Sequence, residues 1–399
     1  MLDTFTTVVV QGARQVGKST FAEMLVADRD HLRVTLDDEE MLAAAVDDPR
    51  TFIDQARDGT LVIDEVQRAP GLILPIKASI DRKRRPGRFV LTGSSDLLRL
   101  TRTPDSLAGR AVTVNLRTLS QGEIRLQRDD VLGRIHANPD VTGFHTATVR
   151  ADYAEAIAAG GYPEVLPLSP RLRATWFDGY VDRLLERDLS DVAPRVDPAR
   201  VASVLRLIAA NQSGELVKAR VARDAHVPES SVTGYLDLLE TMYLVGVLRP
   251  WTPNLTSREA SRPKTYVTDP GLALRLARGS VEQLVALSNP HIGQAMEGFV
   301  LTELLKQREW SAQEFELFHF RDRNGLEVDI VAEFFDGSVV AMEVKAGSTA
   351  RAAQFAGLKA LRDRLGDRFI GGYVLNTAQQ STPFGDRLWS LPVAALWEL

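Results

Sequence analysis

The sequence predicts an α/β chain in three parts, and three observations predict it. Short apolar runs alternate with helical stretches through about residue 125, which is the rhythm of a parallel sheet. From about residue 146 the pattern turns helical. From about 290 a helix leads into strand-like runs again. The expected division is 1–145, 146–280 and 281–399, in keeping with roughly 100–200 residues per domain.

Composition narrows the classes. Hydrophobic residues make up 44% and charged residues 25%, as in an ordinary globular protein. The absence of cysteine excludes disulfides and thiolate metal sites. MLDTFTTVVVQG lacks the basic n-region and cleavage site of a signal peptide. No apolar run reaches the ~18 residues of a membrane span, so a cytoplasmic protein is expected. A net charge of −5 argues against a uniformly basic nucleic-acid binder but not against a local basic face. One such cluster is KASIDRKRRPGR, with Lys77, Arg82, Lys83, Arg84, Arg85 and Arg88; it reads first as a solvated helix end.

In the first part TTVVVQG, TLVIDEV and RFVLTGSS read as strands covered on both faces, and KSTFAEMLVA as a helix. Between the first strand and that helix stands GARQVGKST. Gly12, Ala13, Arg14, Gln15, Val16, Gly17, Lys18 and Ser19 fit G-x-x-x-x-G-K-[ST] in full, with Thr20 following. The glycines let successive backbone N–H groups point inward at phosphate oxygens, and the helix adds its positive end. Lys18 would reach the β- and γ-phosphates of a nucleotide, and the Ser19 hydroxyl would ligate Mg²⁺. At the end of LVIDEV, Asp64 would hold the same Mg²⁺ and Glu65 would orient or deprotonate an attacking water. RFVLTGSS ends in Thr92, Ser94 and Ser95, of which Ser94 is preferred as a γ-phosphate sensor. In SLAGR, Arg110 is either a finger on the γ-phosphate, in its own or a neighbouring subunit, or a surface ion pair.

GARQVGKST, LVIDEVQ, RFVLTGSS and SLAGR, in that order, resemble a group of prokaryotic AAA-type ATPases. GGYPEV, WFDGYVDRLLERDL, PKTYVTDPGLAL, EVDIV and EVKAG extend the resemblance over nearly the whole chain. It implies ATP as the nucleotide, and a C-terminal part related to the PD-(D/E)XK nuclease-like superfamily. Two departures, Ala13 where proline is common and Ser19 where threonine is common, leave the chemistry intact. The helical part shows no clear second sensor arginine.

The middle part reads as helical from Ala151 to Leu185, interrupted by GGYPEV, and then as a winged helix. A helix to about Ala210, a short VKARVARDA helix, an HVPE turn and an SSVTGYLDLLETMYL helix have helix-turn-helix spacing. VGVLRPW and KTYVTD would be the wing strands. The recognition helix would begin at Ser230, Ser231 and Thr233 but carries no cation along SSVTGYLDLLE, a weakness for DNA binding. Arg220, Arg223 and Arg249 would have to supply it.

In the last part Glu297 lies on a helix, Asp329 on the strand of NGLEVDIVAEF, and Glu343 and Lys345 two apart on VVAMEVKAG. Residues two apart in a strand share a face. A neighbouring antiparallel strand would bring Asp329 beside them. Asp329 and Glu343 would then hold a second Mg²⁺ or a Mn²⁺, with the Val344 carbonyl as a further ligand and Glu297 completing the shell. Lys345 would position or activate water. This is the constellation of the nuclease-like superfamily that the chain resembles. Arg321 and Arg323 lie just upstream and would touch a phosphate backbone.

Two functions follow as expectations. One is Mg·ATP binding with hydrolysis, coupled to DNA processing at the C-terminal site. The other is an ATP-driven switch whose C-terminal fold binds a protein partner without catalysis. A homo-oligomer would give Arg110 a role in trans. A small-molecule kinase leaves the C-terminal half without a role.

Overall fold

The computed structural model describes residues 1–56, 58–94, 107, 109–189, 193–252, 262–286, 292–322 and 325–399, without the side chains of 187 and 188. The chain divides into two compact units. The first is Met1–Arg117 with Glu240–Leu244; the second is Thr118–Leu239 with Val245–Leu399.

The first unit is built on five strands, β1 (Thr7–Gln11), β2 (His31–Thr35), β3 (Thr60–Asp64), β4 (Phe89–Gly93) and β5 (Ala111–Asn115). They pair in parallel in the order β2-β3-β4-β1-β5. The inner strands read as unbroken apolar runs because both faces are covered. Val8, Val10, Val62 and Val90 point to one face, against Ala22 and Val26 of the helix Lys18–Val26. Val9, Leu61, Ile63 and Leu91 point to the other, against Ile73, Ile76 and Ile80 of the helix Ile73–Arg82. Each such fully buried side chain is worth about 1.5–3 kcal/mol. The edge strands β2 and β5 escape the sequence pattern because they are only partly covered: β2 buries Val34 alone.

The second unit holds the helices Arg150–Ala159, Pro170–Arg183, Pro198–Ala210, Lys218–Ala225 and Glu229–Thr241, the last ending within the first unit's grouping. Asp197 caps the third of these, its side chain accepting from the Ala199 N–H at 2.9 Å. His226, in the left-handed region with φ 54°, turns the chain between the last two. A small antiparallel sheet joins them: β6 (Gly214–Glu215), β7 (Val245–Leu248) and β8 (Lys264–Val267), in the order β6-β8-β7. The expected wing strands are thus present as a pair.

The helix Ile292–Gln307 follows, then β9 (Phe315–Arg321), β10 (Glu327–Phe334), β11 (Val339–Val344), the helix Ala356–Leu365, and β12 (Phe369–Asn376), β13 (Thr382–Pro383) and β14 (Leu388–Pro392). These strands form one mixed sheet, β13-β14-β12-β11-β10-β9. β9, β10 and β11 run antiparallel, and β12 returns parallel to β11. Met296, Phe299, Val300, Leu301, Leu304 and Leu305 are all buried, so the helix Ile292–Gln307 is a core helix without a polar stripe. It shares a core with Ile330, Ala332, Val340 and Met342. Val331, Val339, Ala341 and Val374 face the opposite way, onto Phe355, Leu358 and Leu361. The second helix lies close to the sheet: a Cβ on Gly357 would meet the Glu327 carbonyl oxygen at 2.2 Å.

Candidate functional site

The loop after β1 is shaped by its glycines. A Cβ on Gly12 would stand 2.1 Å from the Leu116 carbonyl oxygen, so no other residue fits. Gly17, with φ 94°, opens the helix in the left-handed region, and Gln15 shares that region at φ 62°. The result is a concave backbone between Gly12 and Lys18. Lys18 is buried, and its ammonium donates to the carbonyls of Ala13 (2.9 Å) and Gly12 (3.2 Å). Ala13 and Val16 are buried, Arg14 and Gln15 half-buried, and Thr20 exposed.

Ser19 and Asp64, distant in sequence, meet: Ser19 Oγ donates to Asp64 Oδ2 at 2.8 Å. Asp64 also accepts from Thr92 Oγ1 and from Arg33 Nη2 at 3.3 Å. A hydroxyl and a carboxylate are hard oxygen donors, so this pair fits Mg²⁺. Glu65 follows in the left-handed region at φ 56°, its N–H on Thr92 Oγ1 at 3.3 Å. Gln67 Nε2 bonds both Glu65 and Ser94 Oγ, the latter at 3.0 Å. Ser94 is therefore joined to Glu65 through Gln67. Thr92, one of the polar residues at the end of RFVLTGSS, thus meets Asp64 and Glu65. Arg33 and Gln67 extend the site beyond the residues singled out in the sequence, and the Q of DEVQ was their only signal. Ser95 lies outside the described residues.

Arg110 makes a two-nitrogen pair with Asp81 of the helix Ile73–Arg82, at 2.7 and 3.1 Å. The pair holds the Asp81 carboxyl below its ordinary pKa and the guanidinium above its own. The basic cluster is similarly tied into its own unit: Lys83 to Asp58 (2.9 Å), Arg85 to the Gly59 carbonyl (2.6 Å) and Arg88 to Asp54 (3.1 Å).

In the second unit β10 and β11 bring Asp329, Glu343 and Lys345 together. The β9–β10 register shifts between Val328 and Val331, and this irregularity flanks Asp329. Asp329 Oδ2 accepts the Val344 N–H at 2.8 Å and lies 3.8 Å from Lys345 Nζ, which bonds Glu343 Oε1 at 2.5 Å. Glu297 joins the group, but through a residue that no motif marked. Lys264, the first residue of β8, places Nζ 2.7 Å from Glu297 Oε1 and 3.7 Å from Asp329 Oδ1. Burial, and then Asp329, push the Glu297 carboxyl up to about 8 against the pull of Lys264. Burial and Asp329 push Glu343 up to about 7 against Lys345. Burial opposes the charge on Lys264, yet Glu297 and Asp329 hold it above the ordinary lysine range. His319 nearby is driven down to about 4, by burial first and by Lys264 second.

Among the described residues no group of three or more His, Asp or Glu is disposed to hold a metal ion. Lys264 meets Glu297 and Asp329, and Lys345 meets Asp329 and Glu343, so the carboxylates as they stand do not fit a metal shell; their cations are lysines. Arg321 is paired with Glu215 (2.6 Å) and Glu327 (3.0 Å), and Arg323 lies outside the described residues. On the helices Lys218–Ala225 and Glu229–Thr241, Thr233 Oγ1 accepts from Lys218 at 2.9 Å, and Arg223 bonds Asp224 at 2.9 Å. No helix among the described residues is long and apolar enough to cross a membrane.

Comparison with known proteins matches residues 4–125 to an AAA domain, 150–283 to a domain of unknown function (DUF8612) and 292–396 to another (DUF4143). Uncharacterized proteins of Mycobacterium bovis and Mycobacterium tuberculosis are each 30% identical over 346 residues, covering 86% of this chain and 70% of theirs. Among solved structures, a Walker-type ATPase of Pyrococcus abyssi aligns at 16% identity and TM-score 0.39, over 69% of this chain and 92% of that one. A signal transduction ATPase with a tetratricopeptide repeat sensor from Pyrococcus horikoshii aligns at 11% and 0.26, over 76% and 44%.

Proposed function

The chain belongs to the family of the mycobacterial proteins it matches, and with its AAA domain as premise we propose that it is a cytoplasmic, Mg²⁺-dependent ATPase whose ATP cycle regulates DNA processing at the C-terminal cluster. The observation that carries the ATPase reading is the 2.8 Å contact of Ser19 with Asp64, beside a Lys18 anchored to its own loop. When bound, Mg²⁺ supplies countercharge for the β- and γ-phosphates. Gly12 to Thr20 cradle the phosphates through backbone N–H groups. Lys18 exchanges the carbonyls of Gly12 and Ala13 for phosphate oxygens. Glu65 takes the water proton or orients the water, and Gln67 fixes its carboxylate while reporting on Ser94. Arg110 would leave Asp81 to act as a finger, in cis or in a homo-oligomer. The three-part division at 145 and 280 belongs to the same proposal.

The DNA-processing reading draws its support from the meeting of Asp329, Glu343 and Lys345 on adjacent strands. A second reading, an ATP-driven switch that captures a partner without cleaving it, is favoured by Lys264, which gives the buried carboxylates a cation of the chain's own. ATP turnover and DNA cleavage in Mg²⁺ or Mn²⁺ test both. Turnover is expected to fall about a hundred-fold or more in Lys18→Ala under either. Cleavage lost in Glu343→Ala supports the nuclease; cleavage that survives puts the chemistry elsewhere; no cleavage of any DNA favours the switch.

A further inference from the structure

Buried carboxylates need countercharge, and the source of that charge is the informative feature of the C-terminal cluster. Glu297 and Asp329 have side chains 14% and 11% exposed, and the cation between them, Lys264, is 10% exposed. One ammonium serves both acids, at 2.7 and 3.7 Å. Asp329 uses its remaining oxygen for the Val344 N–H and for Lys345. Three carboxyl groups thus face two ammonium groups, which leaves at most one net negative charge to attract a divalent ion. Lys264 is also not on a loose end. Its backbone is paired with Leu248 of β7 on one side and Glu215 of β6 on the other, so the small sheet of the winged-helix region carries the lysine into the cluster.

We propose that Lys264 is the resident cation of this cluster: its ammonium occupies the position a divalent ion would need, and it keeps such an ion out. The inference rests on the reading of Glu297, Asp329 and Glu343 as the functional cluster, and it changes what that cluster holds. Methionine in place of Lys264 keeps the length of the side chain and removes its charge. The acids then have Lys345 alone, and the cluster becomes a place for a hard cation.

The test is Mn²⁺ binding to the nucleotide-free full chain, followed by calorimetry and by the electron paramagnetic resonance of free Mn²⁺. An Asp64→Ala background silences the phosphate-loop position. The parent is expected to show no Mn²⁺ site in the cluster. Lys264→Met is expected to gain one, at least about ten-fold tighter than any residual binding, and adding Glu343→Ala is expected to remove it. If the parent binds Mn²⁺ as tightly as Lys264→Met, and Glu343→Ala abolishes that binding, the metal-site reading stands and the exclusion by Lys264 is wrong. If neither binds, both are wrong. Should Lys264→Met lose its cooperative thermal transition, Lys264→Gln, which keeps a donor to Glu297, is read in the same way.

Discussion

The phosphate loop and the C-terminal cluster both centre on a buried lysine, and they differ in how that lysine is held. Lys18 is bound by carbonyls five and six residues before it in its own loop. Lys264 is bound by carboxylates 33 and 65 residues after it, on a separate helix and a separate strand. Carbonyl oxygens of the same loop are readily exchanged for phosphate oxygens, whereas a buried pair of carboxyl groups is a strong and costly partner to leave. The first lysine is positioned to be recruited by a ligand. The second already has what it binds.

That contrast can be broken experimentally. The largest effect is expected at Glu65. Glu65→Gln should lower ATP turnover about 10²–10⁴-fold while nucleotide binding persists, as single-turnover kinetics and a binding titration would show. Turnover retained in that variant would move the base elsewhere. Lys18→Ala should cost about a hundred-fold or more and weaken nucleotide binding as well.

The cluster is best probed through pH. Glu297 ionises near the ordinary glutamate value of 4.5 when unfolded and at about 8 when folded, so the folded chain carries an extra proton across that interval. Stability contributed by that proton is complete below pH 4.5 and falls as the pH rises to about 8. Melting temperature measured from acid to mildly alkaline pH should decline through this window, and Glu297→Gln should flatten the slope. An unchanged slope would mean that Glu297 stays ionised beside Lys264.

Smaller changes sharpen the first site. Gln67→Ala should reduce turnover by about ten-fold or less, because it loosens Glu65 without removing it. Arg110→Ala is the smallest if its role is the pair with Asp81, with little change in melting temperature or turnover. A large loss of turnover that deepens on dilution would instead mark a finger supplied by a second copy.

How much was legible follows from the same contrast. GARQVGKST and LVIDEV announce themselves because each is continuous, and both faces of β1 and β3 are apolar. The edge strands β2 and β5 were silent because partial exposure lifts the demand for apolar residues. Asp329, Glu343 and Lys345 were readable from strand periodicity and antiparallel pairing. Lys264 was not: PKTYVTD reads as a wing strand, and nothing in it points to Glu297 or Asp329.

Local backbone geometry and side-chain alternation were enough to dictate the parallel sheet, the glycine-rich loop after β1 and the acidic end of β3. The tertiary structure alone decided the company those residues keep. It joined Gln67 to Ser94, tied Arg110 to Asp81, and set Lys264 among the acids. Such contacts depend on register and packing between segments far apart in the chain, and buried charges settle their partners only once the fold has removed the water.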